Sequence, residues 1–263
     1  MIENNNLVIN GLWIGGSLSP VELLCIHSYI NHGHKFHLWT YSDVANIPKH
    51  KNVTRKNAAE ILEEGAVFSY EKGPFPGSYA GFSDIFRYKL LFEHGGWWVD
   101  MDTVCLRAFD FPEEYVFRTH KDWGAVFNLM KFPKGDPALG RALKRTITEV
   151  KAENTMWALP VFCLVDELKI DGLLRHARSD ICNEDDLDII LNIVSKNVTL
   201  PKEYYALHLC NEWIVANGVN KESIPKDGTV GRLITVNRIG SLLPVKLTNI
   251  LYQVAEKLKF LIR

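Results

Sequence analysis

The sequence predicts an α/β domain built on a central, mostly parallel β-sheet flanked by helices. A buried strand, a helix and a second strand follow one another at the start of the chain. A long apolar helix then leads into another buried strand near residue 100, and strand and helix patterns continue to about residue 208. The 263 residues, 47% of them hydrophobic and 23% charged, are enough for one large core.

The first strand–helix–strand unit covers the first forty residues. Residues 7–14 form an apolar run that predicts a buried strand. Ser19 is placed as a helix N-cap and Pro20 as the first helical residue, and apolar side chains then recur at helical spacing. Residues 37–41 predict the second strand. Since crossovers of this kind connect parallel strands, the two strands are expected to pair in parallel.

The next segment brings a strand to a pair of carboxylates. Residues 43–77 are predicted to be irregular or short-helical and to contain no strand. Residues 79–94 predict one long helix with broad apolar coverage, ended by two glycines. Residues 97–99 are then a strand that runs into Asp100.

The remainder of the chain completes one predicted domain, residues 1–242. Its elements are strands at 116–117 and 125–129, helices at 137–151 and 185–197, and a strand or loop entry at 204–208. Residues 243–263 predict a separate basic amphipathic helix. Such a helix lies in a membrane interface or packs on the protein's own core, and the sequence leaves both alternatives open.

Bulk composition excludes several classes. The net charge of −1 and the lack of a basic cluster before the C-terminus argue against a nucleic-acid partner. Five cysteines without close spacing favour buried, reduced thiols over disulfides or a zinc site. Neither a signal peptide nor a membrane span is indicated, so the expected location is the cytoplasm, with peripheral contact at the inner face of the membrane if the last helix binds there.

Two carboxylates at the end of a buried strand call for a cation. Asp100 and Asp102 would face the same side if the strand continued, and two close anions repel unless a cation lies beside them. Oxygen ligands favour Mg²⁺ or Mn²⁺, which proteins usually bind together with substrate phosphates. The pair therefore predicts a phosphate-bearing ligand, while a solvated turn at the strand end is the structural alternative.

A second polar pair lies on the preceding helix. Asp84 and Arg87 are one helical turn apart and are surrounded in sequence by Phe82, Ile85 and Phe86. On an exposed face they would form an ordinary surface ion pair. Their apolar neighbours predict burial instead, and a buried Asp–Arg pair is often functional.

The order Ser-Asp-x-x-Arg, then about eight residues, then Gly-Gly-Trp-Trp-Val-Asp-Met-Asp resembles the D-x-D glycosyltransferases of the GT-A fold. The resemblance covers residues 78–106 and is strongest to glycosyltransferase family 32, which shares this pattern with the glucosylating domains of the large clostridial toxins. Trp13, in Leu-Trp-Ile-Gly-Gly, resembles the family's base-stacking Trp, although a core Trp is the alternative. Residues 208–213 resemble its late metal and phosphate loop, although His208 is also compatible with a structural role.

The resemblance implies roles for individual residues. The implied metal ligands are Asp102, His208 and Asn211, with Asp100 through a water or on the nucleotide side. The implied catalytic residues are Asp84, Arg87 and Asp102. The implied donor-binding residues are Trp13, Ser83, Asp84, Arg87, Trp98, Asp100 and Trp213, with Asp84 and Arg87 on the sugar hydroxyls, Trp13 on the base and Trp213 over the phosphate.

The resemblance also implies the reaction and its partners. The expected activity is Mn²⁺- or Mg²⁺-dependent transfer of a sugar, with retention of configuration, from a UDP-linked donor. The expected acceptor is a saccharide or lipid-linked saccharide, as in synthesis of lipopolysaccharide or capsule. The alternatives are a toxin-like transferase acting on a protein and a nucleotide-sugar-binding module with weak activity. The family's Gly-Pro element is replaced by Leu159-Pro160, which weakens inference about the acceptor.

Overall fold

A computed structural model describes residues 7–239 and shows one seven-stranded sheet and one two-stranded sheet. The strands are β1 (Val8–Trp13), β2 (Lys35–Thr40), β3 (Val53–Asn57), β4 (Gly96–Val99), β5 (Thr103–Cys105), β6 (Val116–His120), β7 (Gly124–Phe132), β8 (Ala177–Arg178) and β9 (Ala206–His208). The α-helices are α1 (Pro20–Asn31), α2 (Ala80–His94), α3 (Pro137–Glu149), α4 (Leu159–Ile170), α5 (Leu187–Ser195), α6 (Asn211–Ala216) and α7 (Thr229–Val236).

The large sheet is mostly parallel, in the order β3-β2-β1-β4-β7-β6-β8. The neighbours from β3 to β4 all pair in parallel, while β7 pairs antiparallel with both β4 and β6. The carboxyl ends of β1, β2 and β4 therefore lie at one edge of the sheet. The predicted α/β class with a mostly parallel sheet flanked by helices is confirmed.

Helices cover both faces of this sheet. One hydrophobic cluster joins Ile9 and Trp97 to side chains of α1, α5 and α7, and the other joins Leu12 and Trp98 to side chains of α2, α3 and α4. Neighbouring residues such as Trp97 and Trp98 contribute to opposite cores because successive side chains of a strand point to opposite faces. Both faces are buried, which explains the continuous apolar run before Asp100.

Local signals at the helix ends act as predicted. Ser19 caps α1, its hydroxyl accepting from the Val21 N–H, while the Glu22 carboxylate accepts from the Ser19 N–H at 2.7 Å. Gly95 follows α2 with φ of 69°, and a Cβ there would lie 2.7 Å from the Lys134 backbone nitrogen. This close approach, together with the left-handed backbone, explains why the helix ends at a glycine.

The structure corrects the sequence-based assignment at several places. The segment predicted to be irregular or short-helical holds β3, an edge strand of mostly polar and largely exposed residues that lacks an apolar alternation. The helices α4 and α7 and the short elements β5 and α6 were also not predicted. The two-residue strand β8 is too short to show a period.

The predicted membrane contact concerns helices that could enter a bilayer or lie on it. Within residues 7–239, no helix combines the length and hydrophobicity needed to cross a bilayer. The amphipathic helix predicted for residues 243–263 lies outside the described residues, so both alternatives for it stay predictions.

Candidate active site

A cleft of about 640 Å³ opens at the carboxyl edge of the parallel strands. This is the edge at which open α/β sheets bind ligands, and the volume lies within the usual range of ligand pockets. Every site residue predicted from the sequence lines it: Trp13, Ser83, Asp84, Arg87, Trp98, Asp100, Asp102, His208, Asn211 and Trp213. Residues up to 200 positions apart in sequence are thus brought together, while their individual roles stay predictions.

Asp100 and Asp102 belong to a turn and not to a continued strand. The strand β4 ends at Val99, and the Thr103 N–H donates to the Asp100 carbonyl at 2.9 Å. The Asp100 N–H donates to the Asn128 carbonyl at 2.7 Å, so the turn is anchored to β7. The two carboxylates therefore face the cleft because of a turn, and their alignment does not come from strand periodicity.

Asp100 is held by two neighbouring side chains. Its Oδ1 accepts from Arg87 Nη1 and from the Trp98 indole N–H, both at 2.8 Å. Arg87 also donates to the Phe127 carbonyl at 3.1 Å and forms an ion pair with Asp84. The predicted burial of Asp84 and Arg87 is confirmed. The guanidinium thus joins two carboxylates, a positioning contact that comes in addition to the predicted contact with the donor sugar.

Asp102 is buried and meets the late loop. Its Oδ2 accepts from the Asn211 N–H at 2.6 Å, and its Oδ1 lies 3.6 Å from His208 Nε2. The antiparallel pairing of β5 with β9 places His208 opposite Thr103, and the Leu209 N–H donates to the Asp102 carbonyl at 3.1 Å. The pairing of β5 with β9 therefore holds the predicted loop at residues 208–213 next to the D-x-D turn.

The ionisable groups where the D-x-D turn meets the late loop have strongly shifted pKa values. Burial, only partly opposed by His208, raises the pKa of Asp102 above its ordinary value, and Asp100 raises it further. Burial alone would lower the pKa of His208, yet Cys210, Asp102 and Asp185 raise it well above its ordinary value. Burial, however, raises the pKa of Cys210 to about 12, so this thiol is neutral at pH 7 and carries no charge that could act on His208. The carboxylates of Asp102 and Asp185 are therefore the groups that stabilise the His208 imidazolium.

Asp185 and Arg118 are site residues that the sequence did not reveal. The Asp185 carboxylate contacts His208 Nδ1 at 2.9 Å and Arg118 Nη2 at 2.6 Å. Arg118 is buried and also donates to Asn128 Oδ1 at 3.1 Å and to the Asn183 carbonyl at 2.9 Å. Burial would raise the pKa of Asp185, but His208 and Arg118 hold this pKa well below its usual range. The acidic run at 184–186 was the available signal, but nothing in it indicates a partner.

Glu22, in the first turn of α1, forms a second ion pair that the sequence did not reveal, with Lys221. The Glu22 carboxylate is fully buried and accepts from Asn211 Nδ2 at 3.0 Å and Lys221 Nζ at 2.7 Å. Lys221 Nζ also lies 5.6 Å from the centre of the Trp13 ring, an attractive cation–π geometry. Glu22 therefore acts both as a capping-box residue and as the anchor for two cleft residues.

The donor atoms at the D-x-D turn fit a divalent cation. One ligand atom each from Asp100, Asp102 and His208 lie within 4.8 Å of one another. Asn211 Oδ1 is buried and finds no hydrogen-bond partner among residues 7–239, as expected of an oxygen kept for a metal. A second cluster, Asp185, His208 and Cys210, fits a hard cation poorly because its thiol is neutral and its carboxylate is paired with Arg118.

The predicted donor-binding aromatics differ in exposure. Trp13 and Trp213 are half-buried at the cleft, whereas the Trp98 ring is buried in the core and reaches the site through its N–H on Asp100. Ser83 is half-buried on α2. Trp98 is thus placed to orient Asp100, and of the three predicted donor-binding indoles only those of Trp13 and Trp213 are exposed enough to stack on a ligand.

Together these features define a class of protein. An α/β sheet that presents a carboxylate pair, an imidazole and an unpaired amide oxygen at its carboxyl edge is typical of enzymes that bind a phosphate-bearing substrate through a divalent cation. Residues 25–124 match the family described as "Glycosyltransferase sugar-binding region containing DXD motif". The matched segment includes Asp84, Arg87 and both D-x-D carboxylates. The match covers less than half of the chain, and it confirms the predicted resemblance and the enzyme class, glycosyltransferase.

A comparison with curated proteins gives no match. Among solved structures, the glycosyltransferase PaToxG is similar at 16% identity and a TM-score of 0.44, covering 63% of this chain and 69% of that one. A transferase solved as a double cysteine-to-serine mutant is similar at 11% identity and a TM-score of 0.41, covering 65% of this chain and 87% of that one.

Proposed function

We propose that this protein is a metal-dependent glycosyltransferase that moves a sugar, with retention of configuration, from a UDP-linked donor to a saccharide or lipid-linked saccharide acceptor. The observation that carries the proposal is the D-x-D turn, whose carboxylates form one cluster of potential ligand atoms with His208 and lie beside Asn211, a residue with an unpaired side-chain oxygen. The choice of UDP and the retention of configuration rest on the resemblance to family 32. The proposed pathway is synthesis of a surface polysaccharide or lipopolysaccharide.

The cation is assigned to Asp102, His208 and Asn211 Oδ1. One oxygen of Asp100 is already bonded to Arg87 and Trp98, so Asp100 would contribute its other oxygen or act through a water. Mn²⁺ suits this set better than Mg²⁺ because one ligand is an imidazole nitrogen. When bound, the cation would neutralise the charge that develops on the leaving diphosphate.

The chain's own residues bind and orient the donor. Trp13 would stack on the base, and Lys221, held beside it by Glu22, would add positive charge near the nucleotide. Trp213, on the first turn of α6, would close over the phosphates. Asp84 and Arg87 would meet the donor sugar, with Arg87 keeping Asp100 in place at the same time.

Removal of metal tests the proposal directly. Without an acceptor, the purified chain with Mn²⁺ is expected to hydrolyse at least one member of a panel of UDP-sugars slowly. Dialysis against EDTA is expected to reduce the rate to background, and added Mn²⁺ is expected to restore it. A rate that survives EDTA would contradict the metal role. Tight binding of UDP and Mn²⁺ without any hydrolysis would instead support the binding-module alternative.

Asp185 is expected to control metal affinity through His208. Because a carboxylate on the far nitrogen of a ligating His orients the ring, Asp185→Asn should weaken Mn²⁺ binding about 10- to 100-fold. The Mn²⁺ dissociation constant can be measured by electron paramagnetic resonance on the protein without donor. Asp180→Asn is the matched control, since Asp180 pairs with Arg178 at the surface. Equal affinities in the two variants would refute the positioning role.

A further inference from the structure

Four aromatic residues that line the cleft are not among the proposed donor-binding residues or metal ligands. His120 and Trp123 belong to the hairpin between β6 and β7, Trp157 precedes α4, and Tyr79 precedes α2. Tyr79 is 40% exposed, and Trp123 and Trp157 are half-buried. We call these four residues the aromatic rim.

The sheet order places the hairpin on the acceptor side of the proposed donor. Trp13 ends β1, the D-x-D turn follows the adjacent β4, and β7 and β6 come next. Because Val99 pairs with Leu129 in antiparallel register, the start of β7 extends beyond the end of β4. A donor with its base at Trp13 and its diphosphate at the D-x-D turn would continue along this strand order with its sugar towards β7, and the hairpin then lies on the side from which an acceptor would approach.

The hairpin holds a rigid, uncharged aromatic pair. The His120 and Trp123 rings are stacked, 4.2 Å between centroids and 19° between planes. His120 Nδ1 accepts from the N–H groups of Asp122 and Trp123, both at 3.2 Å. An Nδ1 that accepts carries no proton, so the imidazole is neutral. Phe162 of α4 contacts Trp123 edge-on at 5.8 Å and holds the indole from the side.

Trp157 is also held by aromatic packing. It packs on Phe75 at 4.8 Å and on Tyr70 at 5.5 Å between ring centroids.

The charged groups near the hairpin are either outside the cleft or already paired. Lys121 and Asp122 are exposed and do not line the cleft. Arg118 and Asp185 line it near His120 but form an ion pair with each other. The rim therefore offers flat apolar faces with N–H and O–H groups at their edges, held in place before a ligand arrives.

We propose that the aromatic rim is the acceptor subsite and that it takes a neutral saccharide. A pyranose ring presents an apolar C–H face that packs on an aromatic face, while its hydroxyls project sideways to polar groups. Trp, Tyr and His match that pattern because each has an apolar body and a polar edge. The inference rests on the proposed function and specifies its acceptor; a protein acceptor is the outcome that the test must exclude.

The experiment compares sugar transfer with donor hydrolysis in the full chain. The acceptors offered are methyl glycosides and disaccharides of glucose, galactose, mannose and N-acetylglucosamine. Each reaction contains Mn²⁺ and the UDP-sugar that wild type hydrolyses. A peptide pool is tested as the acceptor in a separate reaction. At least one saccharide is expected to accelerate UDP release. Trp123→Ala and Trp157→Ala are each expected to raise the acceptor KM about tenfold, as for loss of one stacking contact, and Trp123→Phe is expected to restore most of it.

Met156→Ala is the matched control, because Met156 is the exposed neighbour of Trp157 and does not line the cleft. Acceptor KM values that are equal in Trp123→Ala, Trp157→Ala and wild type would overturn the inference. So would donor hydrolysis that only peptides, or none of the saccharides, accelerate. If wild type hydrolyses none of the UDP-sugars, the proposed function itself fails, and the two failures are thereby distinguished.

Discussion

Asp102→Asn is expected to reduce Mn²⁺-dependent turnover of the UDP-sugar about 10³-fold or more, because it removes the buried anion that holds the cation. The fold should persist, since an Asn amide oxygen can still accept from the Asn211 N–H. Burial raises the pKa of Asp102 and so disfavours its charged form, whereas the same carboxylate stabilises the His208 imidazolium. Because these two effects oppose each other, the metal-free variant should melt close to wild type.

Thermal melting with and without Mn²⁺ separates the two effects. Wild type is expected to gain Tm when Mn²⁺ is added, because a cation that binds only the folded state stabilises it. Asp102→Asn should lose that gain and the turnover together. Asp43→Asn is the control, since Asp43 forms a surface ion pair with Arg55. A variant at Asp102 that retains both turnover and the Mn²⁺-induced rise in Tm would refute the metal site.

Arg87→Lys is expected to lower kcat/KM for the donor about 100-fold, the size of effect that a displacement of about 1 Å has on a catalytic group. Arg87 reaches Asp84, Asp100 and the Phe127 carbonyl from one planar fork. A lysine keeps the charge but, as a single point donor, cannot bridge these groups in the same geometry. Asp100 would then lose part of its support while the cation-binding residues Asp102 and His208 stay in place.

A stability measurement distinguishes this positioning role from simple misfolding. Arg87→Ala leaves the carboxylates of Asp84 and Asp100 without their partner and should lower the free energy of unfolding by about 3 kcal/mol. This value is at the lower end of the range for a broken buried ion pair because Asp100 is partly exposed. Arg87→Lys should lose much less stability than activity. Arg145→Lys, at a surface network with Glu149 and Asp166, should change neither. Full activity in Arg87→Lys would contradict the role.

Much of the site could be predicted because its residues are clustered along the chain. The strand at 97–99, the D-x-D turn, and Asp84 with Arg87 all lie within 19 consecutive residues, where spacing and apolar context carry information. The N-cap at Ser19 and the glycine end of α2 are equally local, and the structure shows both. The element β3 was missed because an exposed edge strand needs no apolar alternation, so its sequence carries no period.

The sequence by itself determined the α/β class, the buried strand that ends in two carboxylates, and the pattern of a D-x-D glycosyltransferase. Only the tertiary structure decided that Asp185 and Arg118 support His208, that Glu22 anchors Asn211 and Lys221, and that the residues of the aromatic rim line the same cleft as the D-x-D turn. The physical reason is that these contacts join elements far apart in sequence. Local propensity acts over a few residues, whereas strand order and the β5–β9 pairing decide which distant side chains share one cleft.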